Sequence, residues 1–568
     1  MTPKPPIQVA YFSMEMMLES DVPTYAGGLG VLAGDLLRSC ADLEVPAVGM
    51  TLVYSGDTFG QVINLDGSQS FYRTDWQKLD QLNKLPTRIE LEIAGTKVLV
   101  GCWRYDMVGF TGHIVPIYLL DTNFLENPPW VRDFTINLYN SNWDIRICQE
   151  IILGIGGVKM LRALGYTDVG TYHLNEGHAA FTPLELLAET GYKDEEVRRK
   201  CVFTTHTPVP EGHDHFDYPQ SWHFAGKYLP WHIKKLAGEN DLSMSRLAIS
   251  LSRKSFAVSR KHKSVSDHLF PGVNFDYVTN GVYHHIWTAP TMQNLYDKYL
   301  PGWFADPSQL LKAPELIPDA DLWAHHQDAK AKLVRFVNAH LTAISSDAEK
   351  ENPLKYELFD TETLTISLAR RPVGYKRPLL LYHDLERFVR IGSGRLQIIQ
   401  CGKSHPDDDH SQGIVKEIVN YSKRFKDVIR IAYLENYSPK LARVLVSGSD
   451  VWLNTPRRPL EASGTSGMKA ALNGVINFST LDGWWIEAFK SNSQSGFAIG
   501  PDTDNLTPVD TDTEDAESLY DQLEHQIIPM YYDRRSEWLS RMKQAITLGA
   551  YFNTHRAVSE YLSKAWKN

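Results

Sequence analysis

The chain reads as an α/β protein built on doubly wound, largely parallel sheets. Two observations lead to that class. Short apolar runs rich in β-branched residues alternate with helical-period segments through all 568 residues. The composition, 43% hydrophobic and 22% charged, is that of a soluble chain able to bury full cores. At this length, two to four domains of roughly 150 residues are expected.

In the first half the strand-like runs are 7–13, 47–54, 114–120, 171–174 and 202–205, with a helix over 144–164. A turn signal at Asn280-Gly281 follows a strand-like 275–279 and precedes an aromatic, proline-containing connector. The seam is therefore placed there, giving domains 1–284 and 285–568 that face each other across a cleft. Residues 364–369, 396–401, 428–433, 451–454 and 475–479 read as buried strands separated by helical stretches such as 378–389. Ligands of such a domain are expected at the carboxyl ends of its strands. The acidic segment 502–517, free of Lys and Arg, reads as a solvated loop entering a helix capped at Thr511-x-x-Glu514.

Fifty-eight Lys and Arg against 68 Asp and Glu give a formal charge of -10. No global basic field exists to bind nucleic acid or anionic lipid. The sequence has neither a membrane-length apolar run nor the apolar core of a signal peptide, so a cytoplasmic protein is expected. Five scattered cysteines without a C-x-x-C pair read as buried thiols, not as a disulfide framework or zinc site.

Chemistry concentrates after the strands. Run 364–369 is followed by Arg370, Arg371, Lys376 and Arg377, with Pro378 where a helix would have its first residue. Four cations at a helix N-terminus are costly unless an anion sits among them, and a compact anion such as phosphate is expected there in preference to carboxylates arriving from elsewhere. Strand 451–454 leads into Leu460-Glu-Ala-Ser-Gly-Thr-Ser-Gly-Met-Lys469, with Asn473-Gly474 as the cap of a short helix. Its glycines are three apart and Met468 precedes the lysine, so this is not a nucleotide P-loop. The loop Tyr25-Ala-Gly-Gly-Leu-Gly30 opens a helical 31–43 and suits backbone approach of an anion better than a dinucleotide, because no strand abuts it. Histidines cluster at His173–His178 and at His206, His213 and His215, without a metal-ligand spacing, and read as polar cleft lining; no metal is expected. His405–His410 reads as a solvated turn.

Together these blocks resemble the α-glucan phosphorylases, the glycogen and maltodextrin enzymes, in a short form. The resemblance runs through Tyr11-Phe-Ser-Met-Glu15, Gly27-Gly-Leu-Gly30, His173-Leu-Asn-Glu-Gly-His178, Thr204-Thr-His-Thr207, Thr279-Asn-Gly281, Tyr375-Lys-Arg377, Gly402-Lys403, Glu435-Asn-Tyr437, Glu461 to Lys469 and Thr480-Leu-Asp-Gly483. It implies two Rossmann-like domains facing across a central cleft in the GT-B glycosyltransferase architecture, with pyridoxal 5′-phosphate buried between them. It further implies retaining phosphorolysis of the terminal α-1,4-linked glucose of a glucan by inorganic phosphate, giving α-D-glucose 1-phosphate.

Carried over by residue, Lys469 falls on the lysine that forms the Schiff base, and Thr465 and Ser466 on the loop around the cofactor phosphate. Arg370 also falls near that phosphate, where many relatives have lysine. Arg371 and Lys376 match the pair gripping the substrate phosphate, helped by Gly28 with its neighbours Gly27 and Leu29. His206, Asn280 and Glu461 match residues that hydrogen-bond the glucosyl unit; Tyr375 lines that site, and Trp287 and Tyr437 match cofactor-pocket positions. Two departures, Val373 for a histidine and Ser466-Gly467 for Gly-Asn, remove no named chemical group.

Three other readings remain open on the residues alone. A nucleotide-sugar-dependent glycosyltransferase of the same architecture would use Lys469 only as an anion contact, and the absorbance of bound cofactor separates the two. A glycoside hydrolase would release free glucose, and a glucan-binding protein would do no chemistry. The partners expected are glucan and inorganic phosphate, with a homo-oligomer possible. The leader at 1–6 is too short for the N-terminal switch of the regulated phosphorylases, so AMP activation is not expected.

Overall fold

The strands of the first half are β1 (Ile7–Ser13), β2 (Ala47–Leu52), β3 (Asn83–Ile93), β4 (Thr96–Val108), β5 (Ile114–Asp121), β6 (Val169–Asn175), β7 (Cys201–Thr204), β8 (Lys254–Ala257) and β9 (Asp276–Tyr277). They form one sheet in the order β9-β8-β7-β6-β1-β2-β5-β4-β3. From β9 to β5 every pairing is parallel, as the apolar runs require. The antiparallel edge β3–β4 is absent from the expected elements. Its outer strand alternates, exposing Lys84, Arg88, Glu90 and Glu92, so it lacks the continuous apolar run that marks its neighbours. The computed structural model describes residues 4–567 apart from 21, 23, 55, 57, 65, 75–80 and 348–357, so part of the leader at 1–6 lies outside the described residues.

The second half contributes β10 (Leu364–Ala369), β11 (Leu396–Cys401), β12 (Arg430–Leu434), β13 (Val451–Asn454), β14 (Ile476–Thr480) and β15 (Gly496–Ile499). They form an all-parallel sheet in the order β12-β11-β10-β13-β14-β15. The order reverses direction at β10, which places the loops after β10 and β13 at a topological switch point.

The chain does not divide into two continuous stretches. One unit is Met1–Thr58, Thr74–Tyr283 and Thr554–Asn568; the other is Phe59–Arg73 and His284–Asn553. The division at 1–284 and 285–568 thus misses two exchanged segments, each with a physical cause. In the first unit, Ala557, Val558, Tyr561 and Trp566 from the C-terminal segment complete the core around Val9, Tyr11 and Leu36. The Trp566 indole N–H donates to His173 Nδ1 at 2.9 Å. In the second unit, Gln61 N donates to Asn436 Oδ1 at 2.7 Å and Ile63 N to Glu435 Oε1 at 2.9 Å. These contacts hold the hairpin Thr58–Ile63 and Gln69–Thr74.

The loop after β10 corrects a second expectation. Pro378 does not begin a helix: Arg377 is left-handed at φ +44, a 3₁₀ turn spans Leu380–Tyr382, and the helix is Leu385–Gly392. Asp384 caps it, accepting from Arg387 N, so an acid rather than the cation cluster sits at that N-terminus. The acidic segment is likewise no solvated loop alone. Asp512 and Asp515, at the start of Asp512–Gln522, pair with Arg377 at 3.0 and 2.7 Å, and Asp515 also pairs with Arg458 at 2.7 Å. Thr511 stands at the cap position, but its hydroxyl donates to Asp515 Oδ2 instead of closing a capping box with Glu514.

All five cysteines are buried thiols, and burial pushes Cys102 and Cys201 up to about 12. Among the described residues no helix is long and apolar enough to cross a membrane.

Candidate functional site

In the first unit, β1 ends beneath the glycine loop. Glu15 Oε2 accepts from Ala26 N at 2.6 Å and Gly27 N at 3.0 Å, while Oε1 accepts from the Tyr139 hydroxyl at 2.9 Å. Burial pushes this carboxyl above its ordinary value, and those hydrogen bonds pull it back. Gly30 has no room for a side chain, since a Cβ would lie 2.8 Å from Glu15 Oε2 and 2.6 Å from Tyr25 Cβ. Around Gly27 and Gly28 a Cβ would meet nothing within 4 Å, so a ligand can approach their backbone. Helix Gly28–Asp42 follows directly.

Next to it lie the ends of β6 and β7. Asn175 Oδ1 is 2.7 Å from His206 Nε2, and Glu176 Oε2 accepts from His206 N at 2.7 Å. His206 is driven down to about 4 by burial, against the opposing charge of Glu176. Asn280 follows β9; its backbone N–H donates to Val258 O at 3.0 Å and its carbonyl accepts from Arg556 Nη2 at 3.1 Å. His173 is not cleft lining. It packs in the core between Tyr11, Tyr561 and Trp566.

Burial drives His173 to about 3, and His178 and His262 to about 4. Because these lie below the ordinary 6.5, the unfolded chain takes up protons first. The stability contributed is complete above about pH 6.5 and falls as pH drops towards about 4, by up to roughly 1.4 kcal/mol per pH unit for each histidine. The thermal midpoint is expected to fall steadily from pH 7 to 5. A midpoint unchanged across that range would contradict three neutral buried imidazoles.

In the second unit the loop after β10 meets the loop after β13. Arg370 Nη2 donates to Glu461 Oε2 at 2.5 Å, and Lys376 Nζ to the same oxygen at 3.1 Å. Burial alone would raise the Glu461 carboxyl, but Lys376 and Arg370 outweigh it and hold it below its ordinary value. This corrects the preference for a compact anion, because carboxylates from elsewhere neutralise the loop: Glu461 on Arg370 and Lys376, Asp408 3.6 Å from Arg371, and Asp512 and Asp515 on Arg377. Arg370 nevertheless keeps Nε and Nη1 buried and without a hydrogen-bond partner. Arg370 lines a small cavity with Asn454, Ser463, Gly464, Ser466 and Trp484. The buried Ser463 hydroxyl is also without a partner. Such a donor set fits an anion.

Gly464, at φ +76, turns the chain into helix Ser466–Ala471, which carries Lys469. Lys469 is 8% exposed, with Nζ 3.6 Å above the Trp287 ring centre. Asn473 fixes the pair. Its amide donates to Lys469 O at 2.9 Å and Trp287 O at 2.8 Å and accepts from Ala289 N at 2.7 Å.

Comparison with known proteins decides what this arrangement belongs to. The profile of the carbohydrate phosphorylase family matches residues 227–527. Maltodextrin phosphorylase of Thermococcus litoralis is 37% identical, over 98% of this chain and 70% of its own length. Glycogen phosphorylase of Aquifex aeolicus is 35% identical over 98% of this chain and 85% of its own. The chain belongs to the carbohydrate phosphorylase family.

In this phosphorylase the first unit carries Gly27, Gly28, Leu29, His206 and Asn280, and the second carries the remaining expected site residues. Within the second, Arg370 and Lys376 converge on Glu461, Lys376 Nζ lies 4.9 Å over the Tyr375 ring, and Lys469 meets Trp287. Others point to different partners. Arg371 is 59% exposed at its side chain beside Asp408. The Ser466 hydroxyl accepts from Trp452 Nε1 at 3.0 Å, and Tyr437 packs against the core containing Trp452 and Ala470. Thr465 stands at the helix cap position, accepting from Lys469 N at 3.2 Å through its carbonyl. Glu15, Asn175, Glu176 and Asn473 are absent from the expected set. The signal available for Asn175 was its position at the carboxyl end of a parallel strand, with Glu176 just beyond it and Glu15 two residues past β1.

Proposed function

We propose that the chain catalyses retaining phosphorolysis of the terminal α-1,4-linked glucose of a glucan, using inorganic phosphate and a pyridoxal 5′-phosphate held at Lys469. The observation that carries this reading is the convergence of Arg370, Lys376 and Glu461 on the strand-end loops of the unit that buries Lys469 against Trp287. The second unit is then the cofactor-binding domain, and the first the glucan and phosphate-loop domain.

The residues present fit the cofactor. Lys469 offers a buried amine facing an aromatic plane, and Arg370 and Ser463 offer buried donors without partners, as a phosphate group requires. Lys469, Trp287, Arg370 and the Gly464–Ser466 loop would hold it. When bound, it supplies a phosphate able to exchange protons with the substrate phosphate.

The reaction itself joins phosphate to glucose. The bond between C1 and the leaving sugar oxygen breaks, a proton passes from inorganic phosphate to that oxygen, and a phosphate oxygen then bonds C1 on the face just vacated. In the second unit Lys376 and Arg371 grip that phosphate; in the first, Gly28 with its neighbours offers backbone N–H groups suited to an anion. His206 and Asn280 hydrogen-bond the glucosyl unit. Glu461 has two suitors, since a phosphate that draws Lys376 away frees its carboxylate for a sugar hydroxyl.

Lys376→Ala and Arg371→Ala are each expected to lose roughly 2 to 4 kcal/mol of transition-state stabilisation, read as a fall in kcat/KM for phosphate. The proposal as a whole is tested by incubating the purified protein with maltodextrin and phosphate. Phosphate-dependent release of glucose 1-phosphate is expected, and release of free glucose without phosphate would overturn it.

A further inference from the structure

One motif in the first unit is left without a role by the proposed reaction: Asn175-Glu176, at the end of β6. Glu176 has φ +72 and ψ 167, a backbone region essentially reserved for glycine, and its side chain is buried with the residue 5% exposed. The fold therefore accepts both a strained backbone and a buried carboxylate at one position. What the carboxylate does there is specific. Oε1 accepts from Gly177 N at 3.0 Å and Thr205 Oγ1 at 3.3 Å; Oε2 accepts from His206 N at 2.7 Å and Thr207 Oγ1 at 3.0 Å. Both oxygens receive a backbone N–H, so an amide in its place would set an NH₂ group against one of those donors.

Asn175 holds the ring of the same histidine. The Ser13 hydroxyl donates to Glu15 O at 2.7 Å and so accepts from Asn175 Nδ2 at 3.0 Å. That fixes the amide with Oδ1 towards His206 Nε2, at 2.7 Å. The proton must then sit on Nε2, and Nδ1 becomes the ring's acceptor.

We propose that Glu176 is a positioning residue for sugar binding: it holds the 205–207 turn so that His206, its ring oriented by Asn175, presents Nδ1 to a glucosyl hydroxyl. This rests on the assignment of His206 as a sugar contact. Glu176 itself touches no substrate and acts through His206.

The test compares Glu176→Gln, Glu176→Gly and His206→Ala, singly and combined, in the full-length holoenzyme with a linear maltodextrin and inorganic phosphate. Glycine adopts φ +72 without strain, so Glu176→Gly removes the carboxylate while keeping the turn's backbone, and it carries the test if Glu176→Gln does not fold. Each Glu176 variant is expected to raise the maltodextrin KM by about tenfold or more with the phosphate KM within about twofold, and to add less than about twofold in the His206→Ala background. Additive losses in that background would overturn the positioning role. So would an unchanged maltodextrin KM in Glu176→Gly when His206→Ala raises it. An unchanged maltodextrin KM in His206→Ala would instead overturn the sugar-contact assignment on which the inference stands.

Discussion

Lys469→Ala is expected to abolish phosphorolysis, by about 1000-fold or more, equivalent to at least about 4 kcal/mol of barrier, and to remove the pyridoxal chromophore from the purified protein. The size of the effect follows from how the side chain is held. Nζ sits 3.6 Å over the Trp287 ring, and one amide, Asn473, hydrogen-bonds the carbonyls of both residues. The backbones that carry the amine and its aromatic neighbour are therefore tied to one another. Loss of fold does not explain such a result, because the truncation forfeits a cation–π contact worth about 1 to 2 kcal/mol while Asn473 still ties the backbone. The checks are a visible absorption spectrum, a phosphorolysis assay, and borohydride reduction of the wild type followed by peptide mapping. An adduct at another lysine, or substantial activity in the variant, would refute the assignment.

Legibility in the sequence follows a physical line. Strands Leu364–Ala369, Leu396–Cys401 and Val451–Asn454 match the expected runs residue for residue, because strands of a parallel sheet are buried on both faces and read as unbroken apolar stretches. The edge strand Asn83–Ile93 shows one face to solvent and carries charges there, so that signal is lost. The loop after β10 misleads for another reason: Pro378 imitates a helix start, while the cap is Asp384, six residues on. Among site residues, the glycine loop is visible as a local feature, whereas Lys469 gains a role only through the family resemblance, since the spacing of its loop excludes a nucleotide P-loop and assigns nothing else. Glu461 is visible as a residue but not in its contacts, since Arg370 lies 91 positions away. Ser13 and Asn175 meet across 162 positions, which only the strand register Ser13 with Asn175 makes apparent.

Asp450→Ala is expected to destabilise the second unit by about 3 to 5 kcal/mol, the largest stability effect anticipated for a single substitution outside the site. Asp450 and Lys330 are both fully buried at their side chains. Asp450 Oδ2 accepts from Lys330 Nζ at 2.6 Å and Thr365 N at 2.7 Å, and Oδ1 lies 2.8 Å from His326 Nε2. Lys330 spends its other two donors on Thr363 O at 2.8 Å and the Tyr531 hydroxyl at 2.9 Å. Every proton of the ammonium is thus used, and removing the carboxylate leaves a buried cation without its counter-charge. The same reasoning makes the pair strongly non-additive. Lys330→Met alone strands a buried carboxylate, but Lys330→Met with Asp450→Leu removes both charges and is expected to cost far less than the two single losses combined. Urea unfolding of the three variants measures this directly. A double variant as unstable as the two singles together would mean that the knot stabilises through geometry at β10 and β13, with charge balance contributing nothing.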